Sequence, residues 1–170
     1  MTTRQKRPLS AIRYIVIHHT ASADAYSTHE TLALHQKATG FGYHATVDDD
    51  AALKAKAAGK DGSATWKQQT PLDEVVWGAA GCNYNALHLS FDGNTNTAPP
   101  TDDEAHLAVQ ILAAWAKKLG WRKKDVERLV THNYVGLHLS AKRYVTECPG
   151  HALIQLMPDL RRRVAAYLPE

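Results

Sequence analysis

In some segments of the chain hydrophobic and polar residues alternate at every second position, and in others hydrophobic residues recur every three to four positions. The first pattern predicts strands and the second predicts helices. A β-branched run ends in polar residues at Arg13 to His18, which predicts a buried strand whose carboxyl end reaches a cleft. The segment Gly42 to Val47 predicts a second strand. Its turn is predicted at the three residues that follow, Asp48, Asp49 and Asp50.

Apolar and polar residues alternate from position 87 to position 92. The apolar members are Leu87, Leu89 and Phe91, and the polar members are His88, Ser90 and Asp92. A strand with this pattern would bury one face and show polar groups on the other. Residues 126–131 predict a further strand, which would deliver His132 to the same edge of the sheet as His18.

A capping box formed by Thr101 and Glu104 predicts the start of a long amphipathic helix that ends before Gly120. Its apolar stripe consists of Leu107, Ile111, Trp115 and Leu119. The stretch His151 to Leu168 predicts a last helix, with a break near Pro158.

A second capping box, Ser27 with Glu30, predicts a shorter helix that ends at Gly40. Helices and strands therefore intermix, which predicts an α/β or α+β sheet with helices packed against it. The length of 170 residues suits one domain, and no repeat or long linker divides it. We expect a flexible tail over residues 1–9, a domain over residues 10–170 and a surface loop from Asn94 to Pro100.

The charge balance narrows the choice of partners. Twenty basic and 17 acidic side chains give a net charge of +3, which is too even for a dedicated nucleic-acid surface. Met1 to Ser10 is polar and basic and lacks the apolar core of a signal peptide, and Ala11 to Ile17 is too short for a membrane span. The sequence thus predicts a soluble chain made in the cytoplasm, with neither a nucleic-acid nor a membrane partner.

Candidate chemistry lies where predicted strands stop, at His18 with its neighbour His19, at His132 and at Cys148. A catalytic zinc commonly takes three ligands from histidine, cysteine or carboxylate and leaves a fourth position open. The wide spacing does not indicate a zinc finger, and taken alone it favours ordinary strand-end histidines and a buried cysteine over a metal site. Cys82 is expected to be a free thiol, although a disulfide with Cys148 remains an alternative.

Four segments occur in an order that resembles the N-acetylmuramoyl-L-alanine amidase family, which includes phage lysozyme-type amidases and animal peptidoglycan recognition proteins. They are residues 14–21 (YIVIHHTA), 42–44 (GYH), 131–133 (THN) and 146–150 (TECPG). The resemblance covers about residues 11–168. It implies a single domain with a central mixed β-sheet flanked by helices.

The resemblance also implies roles for particular residues. His18, His132 and Cys148 match the ligands of one zinc ion, and Tyr43 matches the tyrosine that faces the metal-bound water. Successive side chains of a strand point to opposite faces, so His18 rather than His19 is expected to reach the metal. Thr146 stands where phage-type members carry a catalytic lysine, and active recognition proteins carry threonine there.

Further residues are candidates for substrate contact. Ser90 and His88 would lie on the polar side of a strand that runs beside the metal in this family, where glycine often replaces His88. Asn85 leads into that strand, Trp77 could stack on a sugar, and His19 adjoins the first ligand. The alternatives are core or surface packing for each of them.

The implied activity is zinc-dependent hydrolysis of the amide bond between N-acetylmuramic acid and L-alanine in peptidoglycan. Without a signal peptide, the chain resembles a phage endolysin that reaches the wall after release from the host cytoplasm and lyses the cell. A cytosolic muropeptide-recycling amidase and a non-catalytic peptidoglycan-binding module are the alternatives. A monomer is expected.

Overall fold

The sheet has five strands in the order β3-β2-β4-β1-β5 in this computed structural model, which describes residues 4–21, 29–49, 58 and 62–170. The strands are β1 (Tyr14–His19), β2 (Ala45–Asp48), β3 (Thr65–Gln68), β4 (Ala86–Phe91) and β5 (Leu129–Thr131). Strand β1 runs parallel to both β4 and β5, and β2 runs parallel to β4. Only β3, an edge strand, is antiparallel to its neighbour, so the sheet is mixed.

The predicted strands are present, with shifted limits. Strand β2 begins at Ala45 rather than at Gly42, and Asp50 of its predicted turn lies outside the described residues. Residues Lys123–Arg128 form a 3-10 helix, so the strand predicted over 126–131 contains only its last three residues. Strand β3 was not predicted, because its four residues are largely exposed and lack an apolar face.

Three helices accompany the sheet: α1 (His29–Thr39), α2 (Asp102–Lys118) and α3 (His151–Ala165). The capping box that Thr101 makes with Glu104 is confirmed, and α2 buries the predicted stripe against the core. The predicted break in α3 is wrong, since the helix continues through Pro158. Ser27, the predicted cap of α1, lies outside the described residues. None of the helices in the described part of the chain is long and apolar enough to cross a bilayer.

Two faces of the sheet are covered differently. Alternate side chains along the strands, such as Ile15, Ile17 and Leu89, lie on one face of the sheet and pack beneath α2 and α3 in the main hydrophobic core. Each such side chain contributes about 1.5–3 kcal/mol when it is fully buried. The intervening side chains, such as Val16, lie on the opposite face. They pack against the loops that precede β4 and follow β5, in a smaller hydrophobic cluster that includes Val135. This second face carries the candidate site.

Residues 4–9, which the sequence predicts as part of a flexible tail, contact the rest of the domain through Arg7. Arg7 is only 3% exposed, and its guanidinium donates to the carbonyls of Asn83 and Tyr84 at 2.5 and 2.7 Å. Burial lowers the pKa of Arg7 to about 10, and the backbone amide of Arg7 donates to the Asp73 carbonyl at 2.7 Å. The segment is therefore attached to the loop that precedes β4, while residues 1–3 lie outside the described range.

The buried carboxyl of Glu104 makes stability depend on pH. Burial raises the pKa of Glu104 from 4.5 to about 8, although hydrogen bonds from Thr101 oppose the rise. Between these values the folded protein keeps a proton that the unfolded chain releases, so the free energy of unfolding falls as pH rises through this window. Glu104→Gln keeps an acceptor for Thr101 without the charge. We expect it to be about 1–3 kcal/mol more stable than the wild type at pH 8, with little difference at pH 4.5.

Urea unfolding at a series of pH values measures this difference. Asp102→Asn, which removes an exposed carboxylate from the same helical turn, is the matched control and should show no such trend. A difference between Glu104→Gln and wild type that stays constant from pH 4.5 to pH 8 would contradict the role given to burial.

Candidate active site

The three predicted ligands converge at the carboxyl edge of the parallel strands. The ligand atoms of His18, His132 and Cys148 all lie within 4.8 Å of one another. Nδ1 of His18 is 3.6 Å from Sγ of Cys148, and the centroids of the two imidazole rings are 4.7 Å apart. The side chains predicted from three separate segments therefore form one cluster.

Strand register explains this convergence. Strand β1 lies between β4 and β5, and Ile17 is paired with Thr131, so the residues that follow them, His18 and His132, emerge side by side. His132 opens the short helical turn His132–Tyr134 directly after β5. Cys148 is brought to the same place by its carbonyl, which accepts a hydrogen bond from the Asn133 amide at 2.9 Å.

The protonation states of the clustered side chains favour binding of a cation. Burial lowers the pKa of His132 to about 4, and burial together with the neighbouring His132 holds the pKa of His18 well below its usual range. Both imidazoles are thus neutral at physiological pH and keep a lone pair for a metal. Burial raises the pKa of Cys148 to about 12 in the metal-free protein. Two imidazoles and one sulfur form a donor set that fits Zn²⁺.

His19 points away from this cluster, as strand alternation predicts. Its Nδ1 accepts a hydrogen bond from the Thr95 amide at 3.2 Å on the opposite face of the sheet. Its carbonyl accepts a weak hydrogen bond from Sγ of Cys148 at 3.9 Å. The His19 side chain is only 5% exposed, so little of its surface is accessible to a substrate in this structure.

Tyr144 is a site residue that sequence reasoning missed. Its hydroxyl donates to the Ala80 carbonyl at 3.3 Å, so its oxygen is free to accept from Nε2 of His132 at 3.1 Å. This pairing places the proton of the neutral His132 on Nε2 and leaves Nδ1 with its lone pair. A Cβ at Gly136 would lie 2.8 Å from the Tyr144 ring, so glycine makes room for it. No sequence pattern links positions 132 and 144, because a loop brings them together.

His88 and Ser90 lie on the same face of the sheet as His18, but both have no exposed surface. Nδ1 of His88 is 3.0 Å from Nε2 of His18. Neither side chain therefore presents a surface that a substrate could contact in this structure. Loops cover this face of the sheet, so the polar residues of β4 meet other protein groups instead of solvent.

Tyr43 lies beside the cluster, with its ring centroid 5.1 Å from that of His18. Burial raises the pKa of Tyr43 to about 12, while a hydrogen bond with Ser90 opposes the rise. Gln36 of α1 fixes the backbone at this point, since its side chain accepts from the Tyr43 amide and donates to the Tyr43 carbonyl, both at 3.0 Å. Gln36 is a second positioning residue that the sequence did not reveal.

The remaining candidates occupy different places. Thr146 is half-buried, and its Oγ1 accepts from the Cys148 amide at 3.2 Å, so it shapes the loop that carries the cysteine. Asn85 lies at the amino end of β4, where its carbonyl accepts from the Arg13 amide, and this is the edge remote from the cluster. Trp77 is 59% exposed beside a groove of about 1210 Å³ that is also lined by Gln36. Cys82 is a free thiol, as expected.

A sheet edge that gathers two neutral histidines, a cysteine and a protonated tyrosine is typical of the metal-dependent hydrolases. The family model described as N-acetylmuramoyl-L-alanine amidase matches residues 7–151. The chain therefore belongs to this family, and its enzyme class is that of the amidases that cleave peptidoglycan. No curated protein gives a significant match.

Solved structures share the fold. The Ph2119 endolysin from the Thermus scotoductus MAT2119 bacteriophage Ph2119 matches with a TM-score of 0.63 and 20% identity, covering 95% of this chain and 92% of that chain. The N-acetylmuramoyl-L-alanine amidase LysC from Clostridium intestinale URNW matches with a TM-score of 0.65 and 20% identity, covering 94% of this chain and 93% of that chain. The ectodomain complex of peptidoglycan recognition proteins LCa and LCx, bound to tracheal cytotoxin, matches with a TM-score of 0.63 and 21% identity, covering 91% of this chain and 85% of that chain. The expected fold is confirmed.

Proposed function

We propose that the protein is a zinc-dependent amidase that hydrolyses the bond between N-acetylmuramic acid and the L-alanine of the stem peptide. The observation that carries the proposal is the convergence of His18, His132 and Cys148 within 4.8 Å at one edge of the sheet. Membership of the N-acetylmuramoyl-L-alanine amidase family indicates which bond is cleaved. The cluster offers ligands for the metal ion that would activate water for this hydrolysis.

His18, His132 and Cys148 would hold one Zn²⁺. A zinc ion bound in this way supplies Lewis acidity toward an amide carbonyl and toward an attacking water. The neutral state of His18 and His132 means that no proton has to leave either imidazole at physiological pH before it can act as a ligand.

The remaining groups would orient the substrate and stabilise its charge. Because the pKa of Tyr43 is about 12, its hydroxyl stays protonated and can donate a hydrogen bond to the carbonyl oxygen as negative charge develops there. The hydrogen bond with Ser90 orients that hydroxyl. Thr146 uses its oxygen as an acceptor for the Cys148 amide, which leaves its own O–H available as a second donor.

The biological setting that we propose is that of a phage endolysin, which degrades the wall polymer and lyses the host. Support comes from the family match and from the Ph2119 endolysin, whose fold corresponds over 95% of this chain and 92% of that chain. The substrate would then be polymeric peptidoglycan, bound by a monomer at the exposed edge of the sheet.

Digestion of intact sacculi, compared with digestion of soluble muropeptides, tests this setting. An endolysin is expected to prefer sacculi and to release free peptides that begin with L-alanine, as detected by mass spectrometry. Preference for muropeptides would identify a recycling amidase instead. Binding to sacculi without any peptide release would identify a non-catalytic binding module.

Trp77 is proposed to stack on a sugar ring of the glycan strand. Its exposed indole stands beside the groove, and an aromatic face in such a position favours the apolar face of a sugar. Trp77→Ala is expected to raise KM for sacculi about 3- to 10-fold with little change in kcat. Trp66→Ala, which removes a comparably exposed tryptophan from edge strand β3, is the control. Equal KM values for the two variants would contradict the assignment.

A further inference from the structure

Three buried histidines lie next to one another on the face of the sheet that carries the candidate site. His18, His44 and His88 are each at most 1% exposed. A buried imidazole in its neutral form has one N–H donor and one acceptor nitrogen. Their hydrogen bonds therefore determine which nitrogen carries the proton.

The proton of His18 is assigned by its two neighbours. Nδ1 of His18 faces Sγ of Cys148 at 3.6 Å, which makes Nδ1 the atom that points into the ligand cluster. A ligating nitrogen carries no proton, so the proton of the neutral ring belongs on Nε2. Nε2 lies 3.0 Å from Nδ1 of His88, which must then be the acceptor.

The same reasoning determines the state of His88. With Nδ1 as an acceptor, its proton lies on Nε2, which is buried and has no hydrogen-bond partner within the described part of the chain. A buried polar atom without a partner destabilises the fold, a cost that an apolar side chain would avoid. Packing alone therefore does not explain a histidine at this position, whereas an acceptor for His18 does.

The ring of His88 is held firmly where it can accept. Its backbone amide donates to Nδ1 of His44 at 3.0 Å, and the two rings stack with centroids 5.7 Å apart and planes 10° from parallel. A Cβ at Gly78 would lie 2.6 Å from Nδ1 of His88, so the absence of a side chain there leaves room for that nitrogen. His44 is anchored in turn by the Glu74 carbonyl, 3.0 Å from its Nε2.

We infer that His88 is a positioning residue for His18: its Nδ1 accepts the Nε2 proton of His18, which fixes the ring with Nδ1 turned toward the metal position. The inference rests on the zinc site proposed above. Such outer partners of ligating histidines are commonly carboxylates or carbonyls. In this protein the outer partner of His18 is the buried imidazole of His88, which does not contact the substrate.

Two variants of nearly the same shape test the inference. His88→Asn keeps an acceptor oxygen near the position of Nδ1, whereas His88→Leu has a methyl group there. We expect His88→Leu to bind Zn²⁺ about 10- to 100-fold more weakly than wild type in chelator competition, and His88→Asn to stay within about 3-fold. Thermal unfolding of the metal-free proteins checks that both variants fold.

Nitrogen-15 NMR of zinc-loaded wild-type protein gives a second, independent readout. His18 is expected to carry its proton on Nε2, and that signal should persist in His88→Asn. If His88→Leu does not fold, Gly78→Ala replaces it, because the added methyl group would crowd Nδ1 of His88 without touching any ligand. We expect Gly78→Ala to lower zinc affinity about tenfold.

Several results would overturn the inference. They are zinc affinity in His88→Leu equal to that of wild type, equal losses in the asparagine and leucine variants, unchanged affinity in Gly78→Ala where it takes the place of the leucine variant, and a His18 proton on Nδ1 in the loaded protein. Failure of the wild-type protein itself to bind Zn²⁺ would overturn the proposed function as well, and it is distinguished because it appears before any variant is compared.

Discussion

Replacing Cys148 with serine is expected to lower kcat/KM on peptidoglycan by on the order of 1,000-fold, together with the zinc content of the purified protein. A serine hydroxyl does not ionise at physiological pH and is a poor zinc ligand, so only the two histidines would remain. The fold should survive, because burial holds the pKa of Cys148 at about 12 and the metal-free protein already carries a neutral group there. Metal analysis and peptide release from sacculi measure the two effects.

Cys82→Ser is the matched control for this variant. Cys82 is also a free thiol, and it is buried where Cys148 is only partly buried. Its Sγ lies 3.8 Å from the Ala79 carbonyl, to which a serine hydroxyl could also donate. We expect it to keep its zinc and its activity. Full activity in Cys148→Ser, or equal losses in both variants, would show that Cys148 is not a ligand.

Removing the hydroxyl of Tyr43 is expected to reduce kcat about 100- to 1,000-fold, because a donor to the developing negative charge is lost. KM and zinc content should change little, since the ring remains beside His18 and the three ligands are intact. Single-turnover hydrolysis by Tyr43→Phe, with metal analysis of the same sample, separates these quantities.

Tyr167→Phe provides the control for the loss of a phenolic hydroxyl. Tyr167 is 49% exposed near the end of the chain, where Lys117 lies over its ring. Its activity should equal that of the wild type. A kcat for Tyr43→Phe as high as that of this control would remove Tyr43 from the mechanism.

The ligand cluster could be predicted from the sequence because local strand patterns placed candidate residues at strand ends and the family resemblance then selected the ligands among them. A β-branched run that ends at His18 gives the strand, and strand alternation decides between His18 and His19. The parallel pairing of β1 with β5 then brings His132 to the same edge. The ligand roles of His18, His132 and Cys148 all depended on resemblance, and no periodicity marks Cys148, because it lies in a long loop.

The neighbours of the ligands could not be predicted in the same way. Alternation along β4 separates His88 and Ser90 from the apolar residues, but it does not show whether the polar face meets solvent or a loop. In this fold loops cover that face, and both residues are buried. The contact of Tyr144 with His132 likewise depends on how the loop after β5 folds back, which is a long-range property.

Two segments show how tertiary contacts act against a local preference. Proline disfavours a helix interior, yet α3 packs Leu153, Met157 and Leu160 against the core on both sides of Pro158, and this burial maintains the helix. The basic amino-terminal segment resembled a solvated tail by composition, but the guanidinium of Arg7 finds buried carbonyl acceptors. Tertiary contacts outweighed the local preference in both cases.

The central claim is that zinc held at His18, His132 and Cys148 is required for cleavage of the bond to L-alanine. The most direct measurement is mass spectrometry of the peptides released from intact sacculi by metal-stripped protein, with and without one equivalent of Zn²⁺. We predict that the stripped protein releases none and that zinc restores peptides with a free amino-terminal L-alanine. Equal release of these peptides by the metal-free protein, or cleavage at another bond after zinc is restored, would contradict the claim.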